Sequence, residues 1–241
     1  MAVDNSLENS IPTPTDWELW RARRLSSVTS PTGNLALIET RWQTGDKELT
    51  LEEALNGQPP TVTVTKQERH DFDGVVIAKG VRLWDSNSEG IQSFETITTY
   101  PFNIAWIFEG TFIPYPDSRA VPFEYVRETP GHRNLAVPGE IKVNIEGIEY
   151  SLDAFDDEGT LILVFADPTN GIETYPAGRF LVLPKEENSD RVIIDFNRAY
   201  IPPCGFSFAY NCPLPPPQNR IKVPVLAGEK NPIFRNNYEI H

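Results

Sequence analysis

The two cysteines of the chain, Cys204 and Cys212, both fall within the segment DFNRAYIPPCGFSFAYNCPLPPPQNR, which begins at Asp195. A thiol beside positive charge can become a nucleophile, with Arg198 and Lys230 as the activating cations. Two closely spaced thiols can also close a disulfide, which a reducing compartment opposes, or sit buried as small apolar groups. Asp195 and Glu229 are the carboxyls near this segment with a pattern suited to acid or base work. Cys204, Asp195 and Glu229 are therefore the catalytic candidates. Tyr175, Arg179, Asn197, Arg198 and Lys230 are the candidates for holding a ligand. A guanidinium such as Arg179 matches a carboxylate or phosphate with two parallel hydrogen bonds. The same residues would serve equally well as an internal network of ion pairs and amides pinning an irregular loop. Asp195 follows the apolar run Val192–Ile194, so it needs a partner, with Arg179, Arg198 and Lys230 in view.

Several chemistries lack their residues. The histidines are His70, His132 and His241, and none stands at metal-ligand spacing from another or from a cysteine. No metal or cofactor is expected. A Ser-His-Asp or Cys-His triad would require His70 or His132 to fold onto the C-terminal segment. There is no G-x-S-x-G, no Walker loop and no dinucleotide-binding glycine fingerprint after a strand.

The formal net charge of −13 disfavours nucleic acid and anionic membrane as partners. The acidic residues are scattered, as at Glu52–Glu53, Asp156–Asp157–Glu158 and Glu186–Glu187, which reads as solubility. No apolar run reaches the length of a bilayer span. The N-terminus has neither a basic nor an apolar leader region, so a cytoplasmic location is expected. A homo-oligomer stays open.

The elements that must position these groups read as mostly strands. Residues 1–14 form a proline-punctuated arm. An amphipathic helix is expected to open at Thr15, with Thr15 and Glu18 as a capping box. Trp17 and Trp20 lie four residues before Arg21 and Arg24, so each guanidinium can lie over an indole. A helix packed across the sheet is favoured over a docking helix. Beyond residue 34 the period changes to two. Thr61–Thr65 reads TVTVT, and Val75, Ile77, Val81 and Leu83 share one parity. Ile141–Ile145 and Ile148–Leu152 flank Glu146–Gly147 as a hairpin with a two-residue loop. Leu161–Phe165, Phe180–Leu183 and Val192–Ile194 are continuous apolar runs, the mark of strands covered on both faces. Further strands are expected near 35–42, 91–100, 103–109, 120–127 and 221–226. A short helix is expected over Leu51–Leu55, between Thr50 and Asn56–Gly57. With 22 prolines and few helices, this predicts an all-β fold, a predominantly antiparallel sandwich or barrel with an N-terminal amphipathic helix. The organisation expected is an arm and helix over 1–34, one β domain over 35–230 and a tail over 231–241. Pro202, Pro203, Pro213 and Pro215–Pro217 stiffen the C-terminal loop before it folds.

The segment from Asp195 to Arg220, followed by Ala227-Gly228-Glu229-Lys230, resembles the signature of the uncharacterised domain-of-unknown-function family 1684. The block DPTNGIETYPAGRFLVLP, with Asp167, Thr169, Gly171, Tyr175, Gly178 and Arg179, is similar to the family's preceding block. The resemblance is closest over 160–230 and looser over 70–160, and the N-terminal Trp-Arg helix also fits. Ile201 stands where an asparagine is expected and Gly205 where an alanine is expected, and the segment after Trp42 has drifted. The resemblance brings no catalytic roles. It implies that Asp195, Asn197, Cys204, Cys212, Asn219 and Glu229 are the family's shared feature. The resulting expectation is a pocket in this signature for a small, anionic molecule. The alternatives are a hydrolase or thiol-dependent enzyme using Cys204 or Asp195/Glu229, and a purely structural signature.

Overall fold

Helix α1 runs over Pro14–Val28 in the computed structural model, which describes residues 12–44, 49–71, 73–157, 160–184 and 189–240. Most of the expected N-terminal arm, Glu158, Glu186–Glu187 and His241 lie outside the described residues, as does the side chain of His132. The helix opens two residues earlier than the Thr15–Glu18 box predicts. Thr13 is the cap, its hydroxyl accepting from Asp16 N at 3.3 Å while Asp16 returns a bond to Thr13 N at 3.0 Å. Pro14 then takes the first helical position, where its missing N–H costs nothing. Trp17, Trp20, Arg21, Arg24, Leu25 and Val28 form the less exposed face, at helical spacing. Leu25 and Val28 pack with Leu35, Ile97, Ile201 and Phe206. The helix therefore seats on the C-terminal segment.

Three strands, β1 (Leu37–Trp42), β2 (Val62–His70) and β3 (Val76–Asp85), form an antiparallel sheet in the order β1-β3-β2. Helix α2 (Leu51–Leu55) lies between them as expected, capped by Thr50 with Glu53 closing the box. Its Ala54 packs on Val62, Val81 and Leu83. The other two apolar positions of that parity, Val75 and Ile77, are 58% and 57% exposed. The period-two pattern there outruns the cluster formed with α2.

Helix α3 (Glu89–Ser93) takes the first part of the strand expected at 91–100, and β4 covers Phe94–Thr99. Of the segment expected as a tail over 231–241, the residues through Phe234 continue a strand. Strand β11 (Glu229–Phe234) pairs with β4 from Glu229↔Thr99 to Phe234↔Phe94. A register shift around Pro232 absorbs the residue that cannot donate a ladder bond, and Phe94 meets Phe234 at 6.0 Å.

The main sheet is a curled antiparallel half-barrel of six strands in the order β10-β5-β6-β7-β8-β9. These are β5 (Ile107–Tyr125), β6 (Glu128–Ile145), β7 (Ile148–Asp157), β8 (Thr160–Phe165), β9 (Arg179–Leu183) and β10 (Arg191–Asp195). The β6–β7 hairpin turns on Glu146 (φ 52°) and Gly147 (φ 81°), the two positive φ values of a primed turn. The strands expected at 103–109 and 120–127 are joined in one long β5. A register shift between Pro114 and Arg119 takes Pro116 out of the ladder.

The run Leu161–Phe165 is covered on both faces, as its composition predicts. Leu161, Leu163 and Phe165 face an inner core with Ile141, Leu152, Leu181, Ile194 and Phe196. Ile162 and Val164 face a second core with Phe123, Val137, Phe180 and the two cysteines. Residues 221–226 do not form the strand expected of them. Their backbone is held largely by side chains instead, with Val225 N donating to Asp167 Oδ1 and Val225 O accepting from Arg179.

Candidate functional site

The turn after β8 begins with Asp167, whose Oδ1 accepts from Thr169 N at 2.9 Å, the local bond its sequence predicts. Asp167 Oδ2 is free to turn inward. Arg179, the first residue of β9, meets it at 2.7 Å through Nη2. Both side chains are wholly buried. Arg179 also donates to Ala227 O at 2.5 Å, Val225 O at 3.0 Å and Glu229 O at 3.4 Å, and lies 5.2 Å above the Phe165 ring. Burial lowers its pKa, opposed by Asp167. The guanidinium that sequence cast as a ligand grip thus ties the irregular 225–229 segment to the sheet. Its partner is Asp167, not Asp195.

Asp195 ends β10 and caps the short 3-10 turn Phe196–Arg198. Its Oδ1 accepts from Asn197 N at 3.1 Å and Asn197 Nδ2 at 2.8 Å. Arg198 Nε lies 3.3 Å from Oδ2, close enough for charge attraction but without hydrogen-bond alignment. Burial raises the Asp195 pKa against the pull of Asn197 and Arg198. Asn197 in turn clasps the backbone of Asn103 from both sides, at 2.8 and 3.0 Å. Its carbonyl receives the Trp17 indole N–H at 3.0 Å.

Glu229 faces helix α1. Arg24 Nε reaches its Oε1 at 3.0 Å, and Ile201 N donates to its Oε2 at 2.8 Å. Arg24 also donates to Asn34 Oδ1 and Ile201 O and lies 5.2 Å from the rings of Tyr200 and Phe206. Arg24 therefore does not stack on Trp20, whereas Arg21 does lie over Trp17, at 5.7 Å. The buried carboxylate and the two rings draw Arg24 inward. Burial raises the Glu229 pKa, opposed by Arg24. Gly228, with φ +80°, precedes this residue. A Cβ there would meet Ala199 O at 2.6 Å and Phe196 O at 2.7 Å, so only glycine lets the two backbones close.

Lys230 points the other way. It pairs with Glu173 at 3.0 Å and lies 4.7 Å over the Tyr100 ring. The Tyr100 hydroxyl is pushed up to about 12, by burial first and then by Glu173.

Cys204 and Cys212 are free, buried and adjacent. Cys204 N donates to Cys212 Sγ at 3.2 Å, and the Tyr175 hydroxyl donates to Cys204 Sγ at 3.7 Å. The Cys212 thiol is pushed far up by its hydrogen bond to Cys204 and by burial. Asn219 lies wholly buried and bonds Asp153 N, Asp153 O and Val164 O, joining β7 to β8. The signature residues thus divide among several internal clasps, at Asp167, at Asn103, at α1 and at Asp153.

One cation that sequence reasoning passed over stands beside this segment. The side chain of Arg82, on β3, makes no hydrogen bond or ion pair among the described residues. Its guanidinium lies 5.9 Å from the Trp84 ring and 5.4 Å from the Tyr210 ring of the signature loop. Burial lowers its pKa, and the opposing influences are Tyr210 and Cys212, not a carboxylate. Its register partners Thr40 and Thr65 share its face of the sheet. Thr40 donates to Ala209 O at 2.9 Å, which ties the loop to β1. The signal in the sequence is Arg82-Leu83-Trp84, an arginine one pleat from a tryptophan in an otherwise apolar stretch.

Among the described residues no helix is long and apolar enough to cross a membrane, and no cluster of three or more potential metal ligands occurs. A family model described as "Protein of unknown function (DUF1684)" matches residues 92–230, more than half of the chain. Among solved structures, the chain is similar to an uncharacterized protein of Haloarcula marismortui determined by solution NMR. The identity is 27%, over 57% of this chain and 77% of that one, with a TM-score of 0.48. No curated protein matches.

Proposed function

The chain belongs to this family of unknown function, and we propose that it binds a small anionic molecule where β3 meets the signature loop, with Arg82 as the anchoring cation. One observation carries the reading. In a chain of net charge −13, Arg82 is a part-buried guanidinium without a carboxylate partner among the described residues. A part-buried charge is costly unless something neutralises it. Arg179, Arg24 and Lys230 have carboxylates of their own, so a ligand would have to displace those pairs. The competing reading, a signature that only holds the fold, is favoured by the internal partners of Arg179, Asn219 and Glu229, and it predicts no ligand. Thermal unfolding against a panel of anionic metabolites separates the two. At a concentration near 100 Kd a ligand adds about 2.7 kcal/mol. At ~2–4 °C per kcal/mol, that raises Tm by roughly 5–11 °C. The rise is expected in the wild type and absent in Arg82→Met. A panel that shifts neither protein, or both equally, sinks the proposal.

A further inference from the structure

Cys204 and Cys212 are free thiols buried in one apolar cluster. Packing alone would not require their polar atoms to meet, yet they do. Cys204 N donates to Cys212 Sγ at 3.2 Å, and the Cys212 thiol in turn hydrogen-bonds the Cys204 sulfur. The amide nitrogen and Cβ of Cys204 branch from one Cα. A sulfur 3.2 Å from that nitrogen therefore stands within a side-chain rotation of Cys204 Sγ. A disulfide needs two side chains that point at each other, with Cβ atoms about 3.5–4.5 Å apart. The Tyr175 hydroxyl, on Cys204 Sγ at 3.7 Å, holds that sulfur from another direction.

The backbone on both sides is held in place without any bond between the sulfurs. Cys204 lies in the 3-10 turn Pro203–Gly205, closed by Gly205 N on Pro202 O at 2.9 Å and Phe206 N on Pro203 O at 3.0 Å. Cys212 O accepts from Val126 N at 3.1 Å, and Pro213 bridges Tyr125 at the end of β5. Between them Ser207 donates to Leu37 O at 2.6 Å and Arg127 to Tyr210 O at 2.9 Å. Folding has thus already ordered the loop 204–212, whereas the unfolded chain must meet the entropy of closing it. We infer that Cys204 and Cys212 form a reversible dithiol–disulfide pair that exchanges with a low-molecular-weight disulfide. The S–S bond of the small disulfide breaks and one S–S bond forms in the protein. Two electrons and the two thiol protons pass to the small molecule, which leaves as two thiols. The new bond ties the seat of α1, at Ile201 and Phe206 beside Cys204, to the β5–β6 hairpin beside Cys212. Burial slows the arrival of the small disulfide but does not move the equilibrium, which depends on how the fold places the two sulfurs.

Equilibration of the full chain in glutathione buffers, approached from the reduced and the oxidised side until both agree, tests this. The readout is the squared thiol concentration over the disulfide concentration at which half the protein is oxidised. That ratio is expected to be at least tenfold higher for the native chain than for the chain in denaturing urea. By linkage the oxidised protein is then at least tenfold harder to unfold, equivalent to about 1.4 kcal/mol. It should melt higher by at least about 3 °C, at ~2–4 °C per kcal/mol. Intact mass distinguishes the internal bond from a glutathione adduct or a covalent dimer. In Cys204→Ser and in Cys212→Ser the remaining thiol is expected to stay reduced in the buffer that oxidises half of the native wild type. A native ratio less than tenfold above the ratio in urea overturns the pair, because the fold then holds the two thiols as neighbouring apolar filler. Oxidation that yields only adducts or dimers, or an adduct in either single variant, overturns it as well.

Discussion

Replacing Arg179 with methionine should destabilise the protein more than any other single change in the signature. Methionine retains much of the apolar stem but deletes every donor. Asp167 Oδ2 then loses its 2.7 Å partner in a wholly buried position, and the carbonyls of Val225, Ala227 and Glu229 lose bonds of 3.0, 2.5 and 3.4 Å. Removing one partner of a buried ion pair costs about 3–5 kcal/mol, most of it from the charge left behind. For a chain of this length that corresponds to a Tm lower by roughly 6–20 °C, at ~2–4 °C per kcal/mol. Urea unfolding measures it directly, as a midpoint shift at constant slope. The companion variant Arg179→Met/Asp167→Asn removes the stranded charge and should recover at least about 1 kcal/mol. A loss below about 1 kcal/mol in Arg179→Met would refute the clamp. So would a double variant whose loss is the sum of the two single losses, since coupled partners are not additive.

Asp195 should behave differently. Burial raises its carboxyl above the ordinary 3.8, so between that value and the raised one the native state holds the proton more firmly than the unfolded chain does. Its contribution to stability therefore grows as pH falls through that window and shrinks as pH rises out of it. Asp195→Asn should remain within about 1 kcal/mol of wild type at neutral pH, because an amide oxygen can still accept from Asn197. It should also flatten the pH dependence of urea unfolding; a difference from wild type that does not change with pH would contradict the sign of the shift. The cysteines should be inert in the native state. Iodoacetamide at neutral pH is expected to alkylate Cys204 and Cys212 at least tenfold more slowly than a free model thiol, with the difference vanishing in denaturing urea, because both thiols are buried. Native labelling as fast as the model thiol would restore Cys204 as a candidate nucleophile.

Much of the framework is legible in residue types and their period. The Leu51–Leu55 helix follows from Thr50 and Asn56–Gly57, which are local signals. The β6–β7 hairpin follows from alternation on both sides of Glu146–Gly147, since only a primed turn closes a two-residue loop with the strand twist. The two-sided burial of Leu161–Phe165 follows from its unbroken apolar run. Each depends on neighbours a few residues away. The strand expected at 221–226 fails for the converse reason. Its apolar alternation is real, but Asp167 and Arg179, more than forty residues upstream, take the groups of Val225 that a ladder would have used. The first residues of the segment expected as a tail over 231–241 find a strand edge at Thr99, Ile97 and Phe94.

The candidate site divides along the same line. The sequence by itself determined where the unusual polar residues are concentrated and that Asp195 needs a partner. It could not determine which cation serves which carboxylate, because charge pairing is decided by folding distance and not by separation along the chain. Tertiary structure assigned Arg179 to Asp167, Arg24 to Glu229 and Arg198 to Asp195. Among the described residues it left Arg82, which lies far outside the signature, beside Tyr210 without a carboxylate. A cation's availability to a ligand is what remains after every internal partner has been assigned, and that remainder exists only once the chain has folded.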